Sequence, residues 1–166
     1  MKIFKSKKAY TLLELVIYLA LFAVLSLVLV RVTVTGYNVY KTIRINRDFT
    51  EHGLTAIDTI SRAVRNASSV SASSTLSASP GVLALSSSTG TTTFDVSNGA
   101  LRETDVVSGV STVGNVTGGK VTVSSLIFEK ITTAKSQAVK TKITLIHTPT
   151  GRTESFYVTT VLRGSY

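Results

Sequence analysis

The clearest pattern in the chain is an apolar run near its N-terminus, residues 9–30, in which Glu14 is the only charged residue. A helix of this length spans ~33 Å, enough to cross the ~30 Å hydrocarbon core of a membrane. No acidic residue precedes the run, but four lysines do, at positions 2, 5, 7 and 8. The positive-inside rule therefore places the N-terminus in the cytoplasm.

The helix is predicted to continue beyond the apolar run, because no proline occurs before Pro80. Residues 31–40 contain Gly36 and several β-branched side chains, which lower helix propensity, so we expect bending or local melting there. Apolar side chains then recur at three- and four-residue steps, which predicts an amphipathic helix that lies on a sheet and ends near Asn66. The predicted apolar stripe consists of Leu54, Ile57, Ile60 or Ser61, and Val64.

Residues 67–166 show short alternating runs separated by turn residues, which predicts antiparallel strands. Asn98-Gly99 predicts a two-residue hairpin turn between strands at 94–97 and 100–103. Residues 107–120 are punctuated by glycine and predict a loop or a poor edge strand.

The last part of the chain predicts the longest strands. The first begins at Lys120 and bends through Ser124-Ser125, and the turn sequence Pro149-Thr150-Gly151 joins the next two into a hairpin. In the strand before this turn, one predicted face holds Val139, Thr141, Ile143, Leu145 and His147. The predicted fold class is therefore α+β, a long N-terminal helix packed on an antiparallel sheet.

Composition and charge change this picture only slightly. Cysteine is absent, which excludes disulfides and thiolate metal sites. The net charge of +9 suggests a nucleic acid or an anionic surface as partner. Without the four lysines before the apolar run, however, 14 basic and 9 acidic residues leave only +5, spread along the chain.

No pattern in the sequence indicates catalysis. A G-x-S-x-G elbow is missing, and the two histidines, His52 and His147, fall in the predicted helix and in a predicted strand. Two histidines without cysteine make a zinc site improbable, and no EF-hand or phosphate-loop spacing occurs. We therefore expect neither an enzyme nor a bound metal or cofactor.

Three interpretations account for the N-terminal segment. A secretory signal peptide is shorter, and no small-x-small cleavage site follows the run in LVLVRVTVTG. A plain signal anchor explains the length and the lysines but leaves Glu14 without a reason. A charge at the centre of a membrane helix costs roughly 2.5–3.5 kcal/mol, and less near an end. The third interpretation also explains the carboxylate.

The stretch KKAYTLLELVIYLALFAVLSLVLV, residues 7–30, resembles the N-terminus of the type IV pilin and type II secretion pseudopilin superfamily. That family has a short basic leader, a small residue before the cleavage site, an aromatic residue after it, and Thr-Leu-x-Glu opening a long apolar helix. The resemblance implies cleavage by prepilin peptidase between Ala9 and Tyr10 and methylation of the new Tyr10 amino group. It also implies that Glu14 pairs with a Tyr10 amine when helices pack in a filament. The family usually has Gly and Phe where this chain has Ala9 and Tyr10.

Two further stretches, GLTAIDTISRAVRNASSV and TTVLRG, resemble segments of PilW-like and GspJ-like minor pilins. The resemblance implies four segments: a leader at residues 1–9, a membrane and filament-core helix at 10–30, an amphipathic helix at 31–66, and an extracytoplasmic β domain at 67–166.

The implied function is structural, namely a minor pilin or pseudopilin that enters, primes or caps a type IV pilus or a type II secretion pseudopilus. The implied partners are prepilin peptidase, other pilins through the N-terminal helix, and the cytoplasmic membrane before assembly. The implied location is a single pass through the inner membrane with the N-terminus inside, followed by an extracellular pilus or a periplasmic pseudopilus.

The alternative is a membrane-anchored extracytoplasmic module that binds DNA or a surface. Phosphate contacts require clustered cations. Lys140 and Lys142 share one predicted strand face, and Arg152 lies in the same hairpin region. These three residues form a hypothetical weak polyanion patch, against the simpler interpretation that they decorate a solvated sheet face.

Overall fold

A single long helix, α1, runs from Leu12 to Asn66 and opens the computed structural model, which describes residues 12–133 and 136–163. The chain divides into two compact units, Met1–Arg44 and Ile45–Tyr166. In the second unit, α1 packs against antiparallel β structure, so the predicted α+β class is confirmed.

Eight strands follow α1 within the described residues and form two antiparallel sheets. The five-stranded sheet has the order β1-β2-β3-β4-β5, and the three-stranded sheet has the order β6-β7-β8. Their bounds are β1 Ser69–Val70, β2 Leu83–Ser86, β3 Gly90–Ser97, β4 Ala100–Val107, β5 Val110–Asn115, β6 Val121–Thr132, β7 Gln137–His147 and β8 Arg152–Val161.

The turns predicted from the sequence join these strands. Asn98 and Gly99 adopt φ angles of 51° and 74° between β3 and β4, as a two-residue hairpin turn requires. The register of β6 against β7 shifts between Val123 and Ser125, where a bend was predicted. The glycine-punctuated segment forms β5, an edge strand in which every residue is exposed.

One hydrophobic core joins the C-terminal part of α1 to both sheets. The helix contributes Phe49 and Ile60, each 1% exposed, and the sheets contribute large side chains such as Phe94 and Phe128. The predicted inner face of β7 is confirmed, since alternate residues from Val139 to His147 are buried. Burial of this many apolar side chains is the main force that holds the helix on the sheets.

The predicted apolar stripe of α1 is wrong at one position. Leu54 is 57% exposed, whereas its neighbour Gly53 is buried. The ring of Phe156 occupies the space that a β-carbon on residue 53 would need. A glycine in close contact does not count as apolar in a periodicity pattern, so the true stripe was missed there.

The predicted local melting at residues 31–40 is wrong, because α1 is uninterrupted there; the alternative, a bend, stays a prediction. Propensity differences of up to about 0.7 kcal/mol per residue, and about 1 for Gly36, are small for one stretch of a long cooperative helix. The hydroxyls of Thr33 and Thr42 donate hydrogen bonds to the carbonyls four residues earlier, at 2.9 and 3.0 Å. Their polar groups are thereby satisfied without breaking the helix.

Two alanine substitutions on α1, one at a buried and one at an exposed position, should have very different effects on stability. Ile60→Ala removes a fully packed side chain and should lower the free energy of unfolding by about 2–5 kcal/mol. Leu54→Ala removes an exposed one and should change it by less than about 0.5 kcal/mol. Chemical unfolding of the detergent-solubilised chain, followed by circular dichroism, measures both. Equal losses for the two variants would contradict the assignment of the buried face.

Candidate functional site

The first part of α1 exposes almost all of its apolar surface. Large apolar side chains from Leu12 to Val30 are between 50% and 82% exposed. The helix is long and apolar enough to cross a membrane, and no residue in its most apolar window is buried. Exposure of this extent requires an apolar environment, either lipid or other helices.

Glu14 lies in the first turn of this exposed helix and is half-buried. The phenol of Tyr18, one turn further along, donates a hydrogen bond to Glu14 Oε1 at 3.2 Å. Sequence reasoning singled out Glu14 but missed Tyr18. The i, i+4 spacing of the two residues was the signal that could have revealed the contact.

Ala9 and Tyr10, the predicted cleavage and methylation positions, lie outside the described residues. The pairing of Glu14 with a Tyr10 amine therefore stays a prediction.

Comparison with known proteins identifies the same N-terminal segment. Residues 4–30 match the family model described as the prokaryotic N-terminal methylation motif. No curated protein and no solved structure matches the chain. An apolar helix that carries a prepilin motif is consistent with anchoring in the inner membrane.

The matched motif supports a prepilin-type precursor that prepilin peptidase processes. It supports placing the chain in the type IV pilin and pseudopilin superfamily and implies assembly with other pilins. The same motif supports a structural role. Similarity to PilW-like and GspJ-like minor pilins stays a prediction.

Lys140 and Lys142 share one face of the three-stranded sheet, as predicted, but both have partners there. Lys140 pairs with Glu129 directly across the β6–β7 register, with 3.1 Å between Nζ and Oε2. The Lys142 Nζ lies 5.5 Å from the ring centre of Tyr157 on β8, a cation–π contact. The carboxylate of Glu129 reduces the positive potential of this face.

Arg152 lies on the other face of the sheet. It stands directly opposite His147, whose side chain is buried toward the helix, and it lines a small cavity with Phe49 and Phe156. Successive strand residues point to opposite faces, so Arg152 cannot join Lys140 and Lys142 in one patch. The three predicted polyanion residues are therefore not brought together.

His147 occupies a structural position. Its Nδ1 is 2.9 Å from Thr150 Oγ1 in the β7–β8 turn, and its Nε2 is 3.6 Å from Asp48 Oδ2 on α1. The rings of His147 and Phe49 are 6.2 Å apart and tilted. Within the described ranges, no cluster of three or more His, Asp or Glu side chains could hold a metal ion.

A polar groove between α1 and the five-stranded sheet holds four charged side chains that sequence reasoning did not group. Asp58 and Arg62 form an i, i+4 ion pair at 2.5 Å on the helix, and Glu103 and Asp105 lie on β4. Burial raises the pKa of Glu103 above its ordinary range, and the charge of Asp105 raises it further. The stabilising effect of neutral Glu103 is therefore lost as the pH rises through that raised pKa.

The placement of the basic residues predicts how any polyanion binding should respond to substitution. A polyanion on the outer sheet face contacts Lys140 and Lys142 but not Arg152. Retention of the full-length chain on a DNA column at low salt should therefore fall with the double substitution Lys140→Glu/Lys142→Glu. Arg152→Glu should reduce retention on the column only by the small amount that its change in net charge causes.

Each substitution of Lys or Arg by Glu changes the net charge by two, so the lysine double variant changes it by four. The matched control is therefore Arg152→Glu/Arg163→Glu, which changes it by the same four charges and leaves the lysine face unaltered. Equal losses in the two double variants would mean that retention follows net charge, and the patch hypothesis would then be rejected.

Proposed function

We propose that the chain is a minor pilin or pseudopilin that prepilin peptidase cuts between Ala9 and Tyr10. It then enters, primes or caps a type IV pilus or a type II secretion pseudopilus. The observation that carries this proposal is one carboxylate, Glu14, in an exposed apolar helix whose N-terminal part matches the methylation motif.

The electrostatic argument starts from the carboxylate before assembly. Glu14 lies where the helix enters the apolar segment, so its ionised form is unfavourable there unless it is paired. Cleavage before Tyr10 creates a positive α-amino group four residues away. Pairing between this amine and Glu14, within one subunit or between neighbours, removes the penalty and favours one register of packed helices.

The exposed apolar surface extends beyond the predicted membrane segment and supports assembly. Side chains between residues 32 and 43 that are more than half exposed are Val32, Val34, Tyr37, Val39, Tyr40 and Ile43. A lipid bilayer that covers residues 10–30 does not cover all of these. Helices of neighbouring subunits in a filament core are the natural cover for both segments.

The folded unit from Ile45 onward supplies the extracytoplasmic part of the proposed subunit. Its strand β8 exposes the polar side chains of Thr153, Ser155 and Thr159, as strands of many secreted domains do. The proposal of a minor rather than a bulk subunit rests on the resemblance to PilW-like and GspJ-like proteins.

Glu14→Ala tests the proposed role of the carboxylate. The variant should insert in the membrane and be processed like the wild type, since the leader and the apolar run are unchanged. Its incorporation into sheared filaments should fall about tenfold or more, because the amine of Tyr10 loses its partner. Immunoblots of the sheared and membrane fractions measure both quantities.

Glu51→Ala is the matched control, because Glu51 is an exposed carboxylate further along the same helix. It should assemble normally. Normal assembly of Glu14→Ala, or equal defects in both variants, would contradict the proposed function.

A further inference from the structure

We propose that Tyr18 is a positioning residue for Glu14, holding the carboxylate in the orientation in which it receives the amine of an assembling subunit. This inference rests on the proposed function and names a second residue that this function requires.

The contact follows from helix geometry. Residues four apart lie on the same helix face, and each side chain leans toward the N-terminus. The Tyr18 side chain therefore extends back over Glu14, and its phenol reaches Oε1 at 3.2 Å. The hydroxyl donates and the carboxylate accepts, which makes this a hydrogen bond to a charged group when Glu14 is ionised.

Tyr18 is unusual in its position. Between Glu14 and Ser26 it is the only residue whose side chain carries a polar atom. Membrane tyrosines usually lie at the interface, but Tyr18 lies six residues beyond the start of α1 at Leu12, about 9 Å along the helix axis. A phenol at that depth needs a hydrogen-bond partner, and the contact with Glu14 supplies one.

Other hydroxyls in the helix find partners differently. Ser26 and Thr33 donate to the backbone carbonyls of Phe22 and Leu29, at 2.8 and 2.9 Å. The hydroxyls of these short side chains find their hydrogen-bond acceptors in the preceding turn of the same helix. The long Tyr18 side chain instead reaches a side chain one turn away, and this side chain is the only carboxylate of the apolar run.

The hydrogen bond is compatible with amine pairing. A carboxylate has two oxygens and about four lone-pair directions, so one phenol does not saturate it. Glutamate loses rotamer freedom when it is fixed in an interface, and a side chain already held in place loses less. Tyr18 thus acts on assembly by orienting Glu14, without competing with the amine.

Tyr18→Phe removes the phenol and keeps the ring. The variant should insert and be processed normally, and its incorporation into sheared filaments should fall about three- to tenfold. Tyr157→Phe is the matched control, because Tyr157 is an exposed tyrosine on β8, outside the helix surface proposed for assembly. It should assemble like the wild type.

The double variant Glu14→Ala/Tyr18→Phe separates positioning from packing. If Tyr18 acts through Glu14, the double variant assembles no worse than Glu14→Ala alone. A further loss in the double variant would show that the phenol acts independently of Glu14, and would overturn the inference.

An infrared signature tests the contact itself. The Glu14 band, obtained as the difference between the wild type and Glu14→Ala in lipid bilayers, should shift in Tyr18→Phe and stay unchanged in Tyr157→Phe. An unshifted band overturns the inference.

The outcomes also distinguish this inference from the proposed function. Normal assembly of Tyr18→Phe beside defective Glu14→Ala rejects only the role of Tyr18. Normal assembly of Glu14→Ala rejects both.

Discussion

A single carboxylate on an exposed apolar helix is the constraint on which the account depends. Glu14 is the only charged residue of residues 9–30, and the large apolar side chains around it are at least half exposed. A charge there is unfavourable in lipid and becomes acceptable when a hydrogen-bond donor or a cation meets it. The same apolar surface that suits the helix to a membrane also suits it to packing against other helices, so the proposed insertion and the proposed assembly would use the same residues.

A different interaction stabilises the folded unit from Ile45 onward. Its stability comes from apolar burial between α1 and two sheets, centred on side chains such as Phe49, Ile60 and Phe128. Polar contacts at the edge of this core also connect the helix to the sheets. The buried His147 connects the β7–β8 turn to Asp48 on the helix, and Thr160 donates to Ser61 at 3.2 Å. These contacts fix which face of the helix meets the sheets.

Most of the secondary structure could be predicted from the sequence because its signals are local. Alternation identified the buried face of β7, Asn98-Gly99 identified a hairpin, and the helix ends at Asn66 as expected. The failures had two causes: a tertiary contact at Gly53, and the cooperativity of a long helix at residues 31–40. Gly53 is buried because Phe156 packs over it, and propensity alone did not reveal that residues 31–40 stay helical.

The candidate site likewise has features that the sequence predicts and features that only the structure reveals. Glu14 was identified from the sequence because a charge interrupts an apolar run, but its contact with Tyr18 required a view of the helix surface. The basic residues were grouped by nearness in sequence, and strand alternation then placed Arg152 on the face opposite to Lys140. The pairing of Lys140 with Glu129 depends on the β6–β7 register, which no single strand encodes.

The most direct measurement is the identity of the first residue of the protein extracted from membranes of cells that contain prepilin peptidase, determined by N-terminal sequencing and mass spectrometry. An amine that meets Glu14 exists only if the leader has been removed, so the account predicts a chain that begins with N-methylated Tyr10. A chain that retains Met1 and the lysines of the leader would contradict it.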